Sequence, residues 1–235
     1  MVQNMKAMNP RKYFQGVGGS YNKWYPSDYP LLAQSKVRAG MLLLHPRGFA
    51  ILHYSDASKV GYVLQGNNGV TGFIFPNTSN EQVIKLQKGD LIPVPAGVTS
   101  WCQQNGLIFK LQKGQTLTTP TKATKFIYNL DNNESIMKVS EFEFPFIGET
   151  GLAVVVDRLG PNVVRSPVLL VSPAAQLIYV AGGSGTFQIV GLPSSSKTEV
   201  HVESGQLVFV PKHFAVGKIA AEQGMEYFSI LTTKM

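Results

Sequence analysis

The chain has 235 residues, enough to bury a core in one or two domains. Its 44% apolar and 15% charged residues are typical of a globular protein and exclude a disordered one. No apolar run approaches the roughly 18 residues of a membrane-spanning helix, so no membrane association is expected. Residues 1–12 lack the apolar stretch of a secretory signal. Because Cys102 is the only cysteine, an intrachain disulfide is impossible, and we predict a cytoplasmic location.

The net charge of +7 comes largely from the first 40 residues. Aromatic residues lie among the basic ones there, a mixture that surfaces binding single-stranded nucleic acid use. No nucleic-acid-binding motif accompanies them, so binding to nucleic acid is the less favoured interpretation. We instead predict a basic leader whose aromatic side chains pack against the first domain while its charges stay in water.

The first half is predicted to form short strands. Residues 1–12 are expected to be a mobile leader, and the glycines and prolines of residues 16–30 to keep that segment out of helix. The tetrapeptide Gly66-Asn67-Asn68-Gly69 predicts a tight hairpin, because its residues tolerate a positive φ. A pair of strands is predicted within residues 38–52, with a break at residues 45–48. Further strands are predicted at residues 60–64, 70–75 and 81–86. A short strand follows Gly89 and ends at Pro93 and Pro95.

The second half shows the same spacing of short strands, with Gly and Pro between them. This pattern predicts an all-β protein of two tandem β-barrels or jelly rolls with few helices. We predict a first domain at residues 1–113, a linker with a lead-in strand at 114–138, and a second domain at 139–235. Beyond weaker candidates at 106–111 and 125–130, the predicted strands are residues 152–156, 168–171, 177–181, 186–190, 198–202, 206–210 and 227–232.

Two blocks of the sequence repeat with similar spacing, which indicates an internal duplication. In the first half, a strand ending at Gly66 is followed 23 positions later by Gly89 and the segment to Pro95. In the second half, a strand ending at Gly183 is followed 22 positions later by Gly205 and the segment to Pro211. The chain is therefore expected to contain two copies of one barrel.

Five stretches spread over both halves carry a family resemblance: SDASKVGYVLQG, KGDLIPVPAGVTSW, FPFIGETGL, RSPVLLVSPAAQLIYVAGGSG and GQLVFVPKHFAVGKIA. They resemble the two-barrel cupins, or bicupins, and most closely the legumin and glutelin-like seed globulins of plants. The resemblance implies a cupin jelly-roll barrel in each half, with the halves packed as a pseudo-dimer. It also implies a nutrient-reservoir role as a seed storage protein and assembly into a homo-oligomer, either a dimer or a trimer.

Metal-binding cupins carry two spaced signatures, His-x-His-x4-Glu-x6-Gly and Gly-x5-Pro-x-Gly-x2-His. Alternate residues of a strand face the same way, so this spacing gathers imidazoles and a carboxylate around a divalent ion. Here none of the aligned positions holds His or Glu, and we predict no metal and no cofactor. His53 is one residue off and is expected to face the other side of its strand. The aligned positions are Leu52, Tyr54, Lys59 and Ser100 in the first half, and Leu169, Val171, Gln176 and Val216 in the second.

The polar residues at these positions leave two interpretations open. Tyr54, Lys59 and Ser100 could line a ligand pocket, in which a buried lysine of lowered pKa meets an anionic or carbonyl group. Alternatively, Lys59 reaches solvent or pairs with Asp56. Gln176 is the only polar residue expected at the second barrel mouth, which is either a packed core or a cavity for a small organic ligand.

The favoured function is a metal-free, storage-like or small-ligand-binding protein that is not an enzyme. The alternative is a metal-independent enzyme of the isomerase or cyclase type, which would act on a small organic molecule with Lys59 and Tyr54.

Overall fold

The computed structural model describes residues 5–78, 80–104, 125–131, 134–169, 175–191 and 194–232. Within these residues most of the secondary structure is antiparallel β-sheet, so the prediction of an all-β fold with few helices is confirmed. The helices α1 (Pro30–Gln34) and α2 (Pro145–Gly148) are only five and four residues long. No helix in the described part of the chain is long and apolar enough to cross a membrane.

The strands of the first half form three antiparallel sheets, together with one short strand from the connection. Their bounds are β1 (Arg11–Gly16), β2 (Gly19–Trp24), β3 (Ala39–Leu44), β4 (Phe49–Tyr54), β5 (Lys59–Tyr62), β6 (Gly69–Ile74), β7 (Glu81–Leu86), β8 (Asp90–Val94), β9 (Thr99–Gln104) and β10 (Tyr128–Asn129). The sheets have the strand orders β1-β2-β3, β4-β9-β6-β7 and β10-β8-β5.

The strands of the second half form one larger antiparallel sheet. Their bounds are β11 (Ile136–Val139), β12 (Leu152–Leu159), β13 (Val164–Leu169), β14 (Gln176–Gly191), β15 (Ser194–Glu203), β16 (Leu207–Val210) and β17 (Phe214–Thr232). The main order is β11-β12-β17-β14-β15, while β13 pairs with β17 and β16 pairs with β14. Predicted strand segments at 106–111 and in residues 170–171 lie outside the described residues.

The hairpin predicted at Gly66-Asn67-Asn68-Gly69 is wrong. The strand before it, β5, pairs with β8, whereas the strand after it, β6, pairs with β7 and β9. The tetrapeptide therefore carries the chain from one sheet to another, and Gly66 has a φ of +102°. The positive φ was anticipated correctly, but a turn residue alone does not specify which strands pair.

The prediction that residues 1–12 form a mobile leader is wrong for residues 5–8. Met5 is 4% exposed, and Met8 exchanges two backbone hydrogen bonds of 3.0 Å with Leu207 of the second half. The indole N–H of Trp24 donates to the Met8 carbonyl at 2.7 Å. The N-terminal segment thus packs on the second barrel, and not on the first barrel as its aromatic content had led us to expect.

Helix α1 completes this packing on the second barrel. The Tyr29 hydroxyl, just before α1, donates to the Lys6 carbonyl at 3.1 Å and accepts from the Phe209 backbone N–H at 2.9 Å. Leu31 and Leu32 of the same helix belong to a buried cluster built mainly from β14, β16 and β17. The beginning of the first half is therefore part of the core of the second.

Helix α2 makes the reciprocal contact. Phe146 and Ile147 are buried with Leu91 and Leu130, and the Phe146 ring lies 5.1 Å from the Phe126 ring, centroid to centroid. In both helices an aromatic residue is followed by proline at the first helical position, where proline's fixed φ is favourable. The duplication thus includes the two helices. The helix of each half packs on the barrel of the other half. The domain boundaries at residues 113 and 138 stay a prediction.

Tyr29 offers a direct measure of this interlocking. Tyr29→Phe removes the hydroxyl but keeps the ring, leaving the Phe209 N–H and the Lys6 carbonyl without their partner. We expect the free energy of unfolding to fall by about 1–3 kcal/mol, because unpaired buried polar groups are costly. Urea denaturation measures the change, and the exposed Tyr13→Phe is the control. An equal effect of the two substitutions would contradict the interlocked packing.

Candidate functional site

The inner face of the first barrel is set by a β-bulge in β4. Ala50 pairs with Cys102, but His53 pairs with Ser100, so β4 contains one residue more than β9 between these pairs. Directly paired residues point to the same side of a sheet, and a bulge shifts the side on which the following residues lie. His53 is therefore on the face of Ser100 and Cys102, and the expectation that it faces away from the aligned site is wrong.

Lys59 and His53 form a polar contact on this face of the sheet, where His53 is exposed to solvent and Lys59 is half-buried. Lys59 Nζ lies 2.7 Å from His53 Nε2, so the ammonium donates to an unprotonated imidazole nitrogen. Burial lowers the pKa of His53, and the neighbouring positive charge of Lys59 lowers it further. Burial also lowers the pKa of Lys59, while the interaction with Cys102 opposes this decrease. These effects favour a neutral histidine that accepts a hydrogen bond from the lysine.

Cys102 lies on the same inner face. Thr71 Oγ1 donates to the Trp101 carbonyl at 2.8 Å and lies 3.5 Å from Cys102 Sγ, within hydrogen-bond distance of the sulfur. Burial raises the pKa of the thiol, and the hydrogen bond to Thr71 and the charge of Lys59 only partly offset this increase. The thiol thus stays protonated at neutral pH, the form that reacts poorly as a nucleophile.

The structure separates the residues predicted for the first site. Lys59 is half-buried and Ser100 is buried on the inner face. Tyr54 follows His53 on the other side of β4 and is 66% exposed. Leu52 packs on the opposite face of the sheet, against the cluster of Val83 and Trp101. The bulge therefore replaces Tyr54 by His53 as the neighbour of Lys59. The ligand-binding role of Tyr54, Lys59 and Ser100 stays a prediction.

In the second barrel, two of the aligned positions are buried inside the sheet. Gln176 pairs with Val210 and Leu231, and Val216 is in the apolar core next to Ile189. Leu169 pairs through its backbone with Ala215, and Val171 lies outside the described residues. A ligand role of Gln176 stays a prediction. The expectation that Gln176 is the only polar residue at the mouth of this barrel also stays a prediction. Charged residues that the prediction did not consider lie on β12, β13 and β17.

These residues form a buried charged cluster, which we call the Asp157 cluster: Asp157, Arg165, Lys218 and Tyr227. Arg165 binds Asp157 through two hydrogen bonds, from Nε to Oδ2 at 2.9 Å and from Nη2 to Oδ1 at 2.8 Å. The Tyr227 hydroxyl donates to Asp157 Oδ2 at 2.7 Å. Burial raises the pKa of Tyr227, and its hydrogen bond to Asp157 raises it further. Both carboxylate oxygens are therefore occupied by neighbours.

Within the described residues, Lys218 is the member of the cluster that has no hydrogen-bonded acceptor. It is 5% exposed, and its Nζ lies over the Tyr227 ring, 4.7 Å from the centroid. Burial lowers its pKa from 10.5 to about 8, although the charge of Asp157 opposes this decrease. An ammonium held by a ring face is stabilised less than one held by oxygen acceptors.

The bend of β14 brings this cluster together. β14 pairs with β17 along both of its ends, and the register shifts between Val180 and Gly185. Gly183 has a φ of +72°, and a Cβ there would lie 2.0 Å from the Gly224 carbonyl oxygen. Only glycine fits such a position, so the glycines let the strand bend until Lys218 and Tyr227 meet although they pair with opposite ends of β14.

The sequence contained a signal for Lys218 that our prediction missed. Val216, Lys218 and Ala220 alternate along one strand, and all three are buried. Strict alternation would have placed the lysine on the inner face. Within the described residues no group of three or more His, Cys, Asp or Glu side chains is placed to hold a metal ion. The expected absence of metal and cofactor stays a prediction.

Paired antiparallel barrels with a bent central strand and polar side chains on their inner faces define a two-barrel jelly-roll protein. The family model described as Cupin matches residues 5–107 and 134–234, which is more than half of the chain. The chain therefore belongs to the cupin family, and the resemblance to its legumin and glutelin-like members is confirmed.

The relatives are plant seed proteins. The 11S globulin seed storage protein G3 of Helianthus annuus is 34% identical over 118 residues, which cover 46% of this chain and 24% of that protein. Glutelin type-A 3 of Oryza sativa subsp. japonica is 27% identical over 92 residues, covering 27% of this chain and 18% of the glutelin. The chain spans about a quarter of the length of the curated relatives it matches.

A solved structure agrees over a larger part of the chain. The 11S globulin from Wrightia tinctoria, a protein described with an auxin binding site, has a TM-score of 0.84 and 18% identity. The match covers 98% of this chain and 83% of that globulin. At this identity the similarity establishes the fold alone.

Lys218→Met tests the electrostatics of the second barrel, because it keeps a long unbranched side chain but removes the charge. With its pKa lowered from 10.5 to about 8, Lys218 holds fewer protons in the folded than in the unfolded chain between those values, so wild-type stability rises with pH there. We expect the variant to be more stable by about 2–3 kcal/mol near pH 7, and by less than about 1 kcal/mol near pH 10.

Urea denaturation of the dialysed proteins in an anion-poor zwitterionic buffer measures both differences. The exposed Lys197→Met is the control and is expected to leave the pH dependence unchanged. A stability difference between wild type and Lys218→Met that does not vary with pH would contradict the lowered pKa.

Proposed function

We propose that this protein is a metal-free, storage-like cupin, a nutrient reservoir that assembles into a homo-oligomer. The observation that carries the proposal is the contact between Lys59 Nζ and His53 Nε2 at 2.7 Å. A metal ion would need the Nε2 lone pair, and a cation already occupies it. In the first barrel, a solvent-exposed hydrogen bond between side chains thus uses the imidazole nitrogen that a metal ion would need.

Two further observations support storage. The 34% identity to a seed storage globulin covers 46% of this chain. In addition, each half of the chain contributes side chains to the core of the other half. A protein whose role is to hold amino acids needs such mutual burial, since local opening exposes a chain to proteases, but it needs no reactive group.

The enzyme alternative has less support. It requires Lys59 and Tyr54 to act together, yet Tyr54 lies on the outer side of β4 and Lys59 donates to His53 on the inner side. A small organic ligand in a barrel mouth remains compatible with the storage role. The auxin binding site described for the Wrightia tinctoria globulin supports the idea that cupins of this kind take small organic molecules.

An exposed apolar row on the first three-stranded sheet supports a homo-oligomer. Phe14, Tyr21 and Leu42 are cross-strand neighbours on the outer face of β1, β2 and β3. Phe14 is 60% and Leu42 is 45% exposed. Contiguous apolar side chains on a surface mark an interaction site. We propose that a second copy of the chain covers this row, in a dimer or a trimer.

Leu42→Glu tests the oligomer. A charge in the middle of an apolar interface would be buried without a partner, so we expect the variant to elute with the mass of a monomer. Light scattering coupled to size-exclusion chromatography measures the mass of wild type and variant. The control is Phe142→Glu, which places the same charge at an exposed position in the second half and should retain the wild-type mass. A monomeric wild-type protein would refute the oligomer.

The storage role itself is tested in the source organism. We expect the abundance of the protein to rise while seeds or other storage tissue fill, and to fall by at least tenfold as reserves are mobilised. Quantitative proteomics over this period measures the change, with a housekeeping enzyme as the reference. Constant abundance through both periods would refute storage. Fractionation of the same tissue tests the cytoplasmic location, which stays a prediction.

A further inference from the structure

The Asp157 cluster has an excess of positive charge. It contains one carboxylate, Asp157, and two basic groups, Arg165 and Lys218. Arg165 occupies both oxygens of Asp157, and Tyr227 adds a third hydrogen bond. Asp157 therefore has little remaining capacity to accept from Lys218. With the lysine protonated, the cluster carries a net charge of about +1 in a largely buried position.

Lys218 also lacks any other acceptor. Within the described residues its Nζ forms neither a hydrogen bond nor an ion pair, and it lies 4.7 Å from the centroid of the Tyr227 ring. A buried ammonium can donate three hydrogen bonds, so this arrangement leaves most of its donor capacity unused. Lys59 in the first barrel differs, because His53 accepts from it at 2.7 Å.

A second unused polar group lies on the same inner face. Ser229 is fully buried, and its Oγ has no hydrogen-bond partner in the described part of the chain. Ser229 follows Tyr227 by two positions on β17, so the two side chains point to the same side of the sheet. Buried hydroxyls normally have a partner, so an unpaired hydroxyl on the same strand as Lys218 is informative.

Arg165 gives the cluster a route to solvent. Its side chain is one-third exposed, whereas that of Asp157 is almost completely buried. Arg165 and Lys218 are directly paired across β13 and β17, so their side chains are neighbours on one face. The guanidinium has five N–H donors, and Asp157 uses only two of them. A small solute that passes Arg165 would therefore meet donors from both basic side chains.

We propose that the second barrel binds a small monovalent anion, a carboxylate such as formate or acetate or a halide, between Lys218 and Arg165. One negative charge neutralises the excess of the cluster, whereas a dianion would exceed it. The surrounding side chains of Phe187, Ile189 and Val216 are fully buried and apolar, so the anion must be small. This proposal goes beyond the storage role and does not depend on it.

Thermal denaturation in the presence of defined anions tests the site. Sodium formate, acetate and chloride are each added to dialysed wild-type protein, with the sodium salt of a bulky sulfonate at equal ionic strength as the reference. Binding to the folded state raises the midpoint of unfolding in a saturable way. We expect at least one of the small anions to do this, and Lys218→Met to weaken its apparent affinity at least tenfold.

Two controls separate the site from general salt effects. Lys197→Met removes an exposed lysine and should respond like wild type. The affinity of wild type should decrease as the pH rises above about 8, because Lys218 loses its proton there. Arg165 and Tyr227, which face Lys218 from β13 and β17, have raised pKa values and do not explain such a decrease. Asp157 faces Lys218 from β12.

Crystals of the wild-type protein soaked in bromide keep the proposal testable if Lys218→Met does not fold. An anomalous peak beside Lys218 Nζ would support the site. A response to carboxylates alone, or to halides alone, would identify which anion fits. Equal responses of wild type and Lys218→Met, or no saturable response and no bromide peak, would overturn the proposal. The outcome of these anion experiments is independent of the abundance test of the storage role and of the mass measurement that tests the oligomer.

Discussion

The structure depends on one constraint, the exchange of covering segments between the two halves. A single cupin-like barrel leaves an apolar face open, and in this chain the aromatic-proline helix of each half packs on the barrel of the other. The Tyr29 hydroxyl fixes one of these contacts by joining the Lys6 carbonyl to the Phe209 N–H. Neither barrel core is then complete without the other half, so the halves are expected to unfold together.

Two local departures from regular strand geometry determine what lies inside the barrels. In the first barrel, one extra residue in β4 places His53 on the side of the sheet where it meets Lys59. In the second, the bend of β14 at Gly183 brings Lys218 over the Tyr227 ring. Both features act at the level of the backbone, since a bulge or a bend changes which side chains share a face without changing the order of the strands.

These departures explain which features of the structure could be predicted from the sequence and which could not. Repeated glycines and prolines identified the duplicated barrels, because turn residues and short apolar runs are local signals. The partner of β5 and the location of Met5 depended on contacts far apart in sequence, so the hairpin at Gly66 and the mobile leader were wrong. Counting along β4 assumed strict alternation, and one bulge made His53, not Tyr54, the neighbour of Lys59. Alternation in β17 did hold, and it would have located Lys218.

Each barrel contains a lysine that is at least partly buried, and the two lysines differ in how their charge is accommodated. A buried ammonium must either find an acceptor or lose its proton. Lys59 is half-buried and has the exposed His53 as its acceptor, so its charge has a hydrogen-bond partner near solvent. The carboxylate nearest to Lys218 already binds Arg165 and Tyr227, and the lysine is left with a ring face and a pKa lowered to about 8. A storage protein under selection for stability alone would gain from an apolar residue at that position, since replacing buried charges by apolar groups is often stabilising. Keeping an unsatisfied cation next to a partly exposed arginine is therefore better explained by an anion that completes the cluster than by packing.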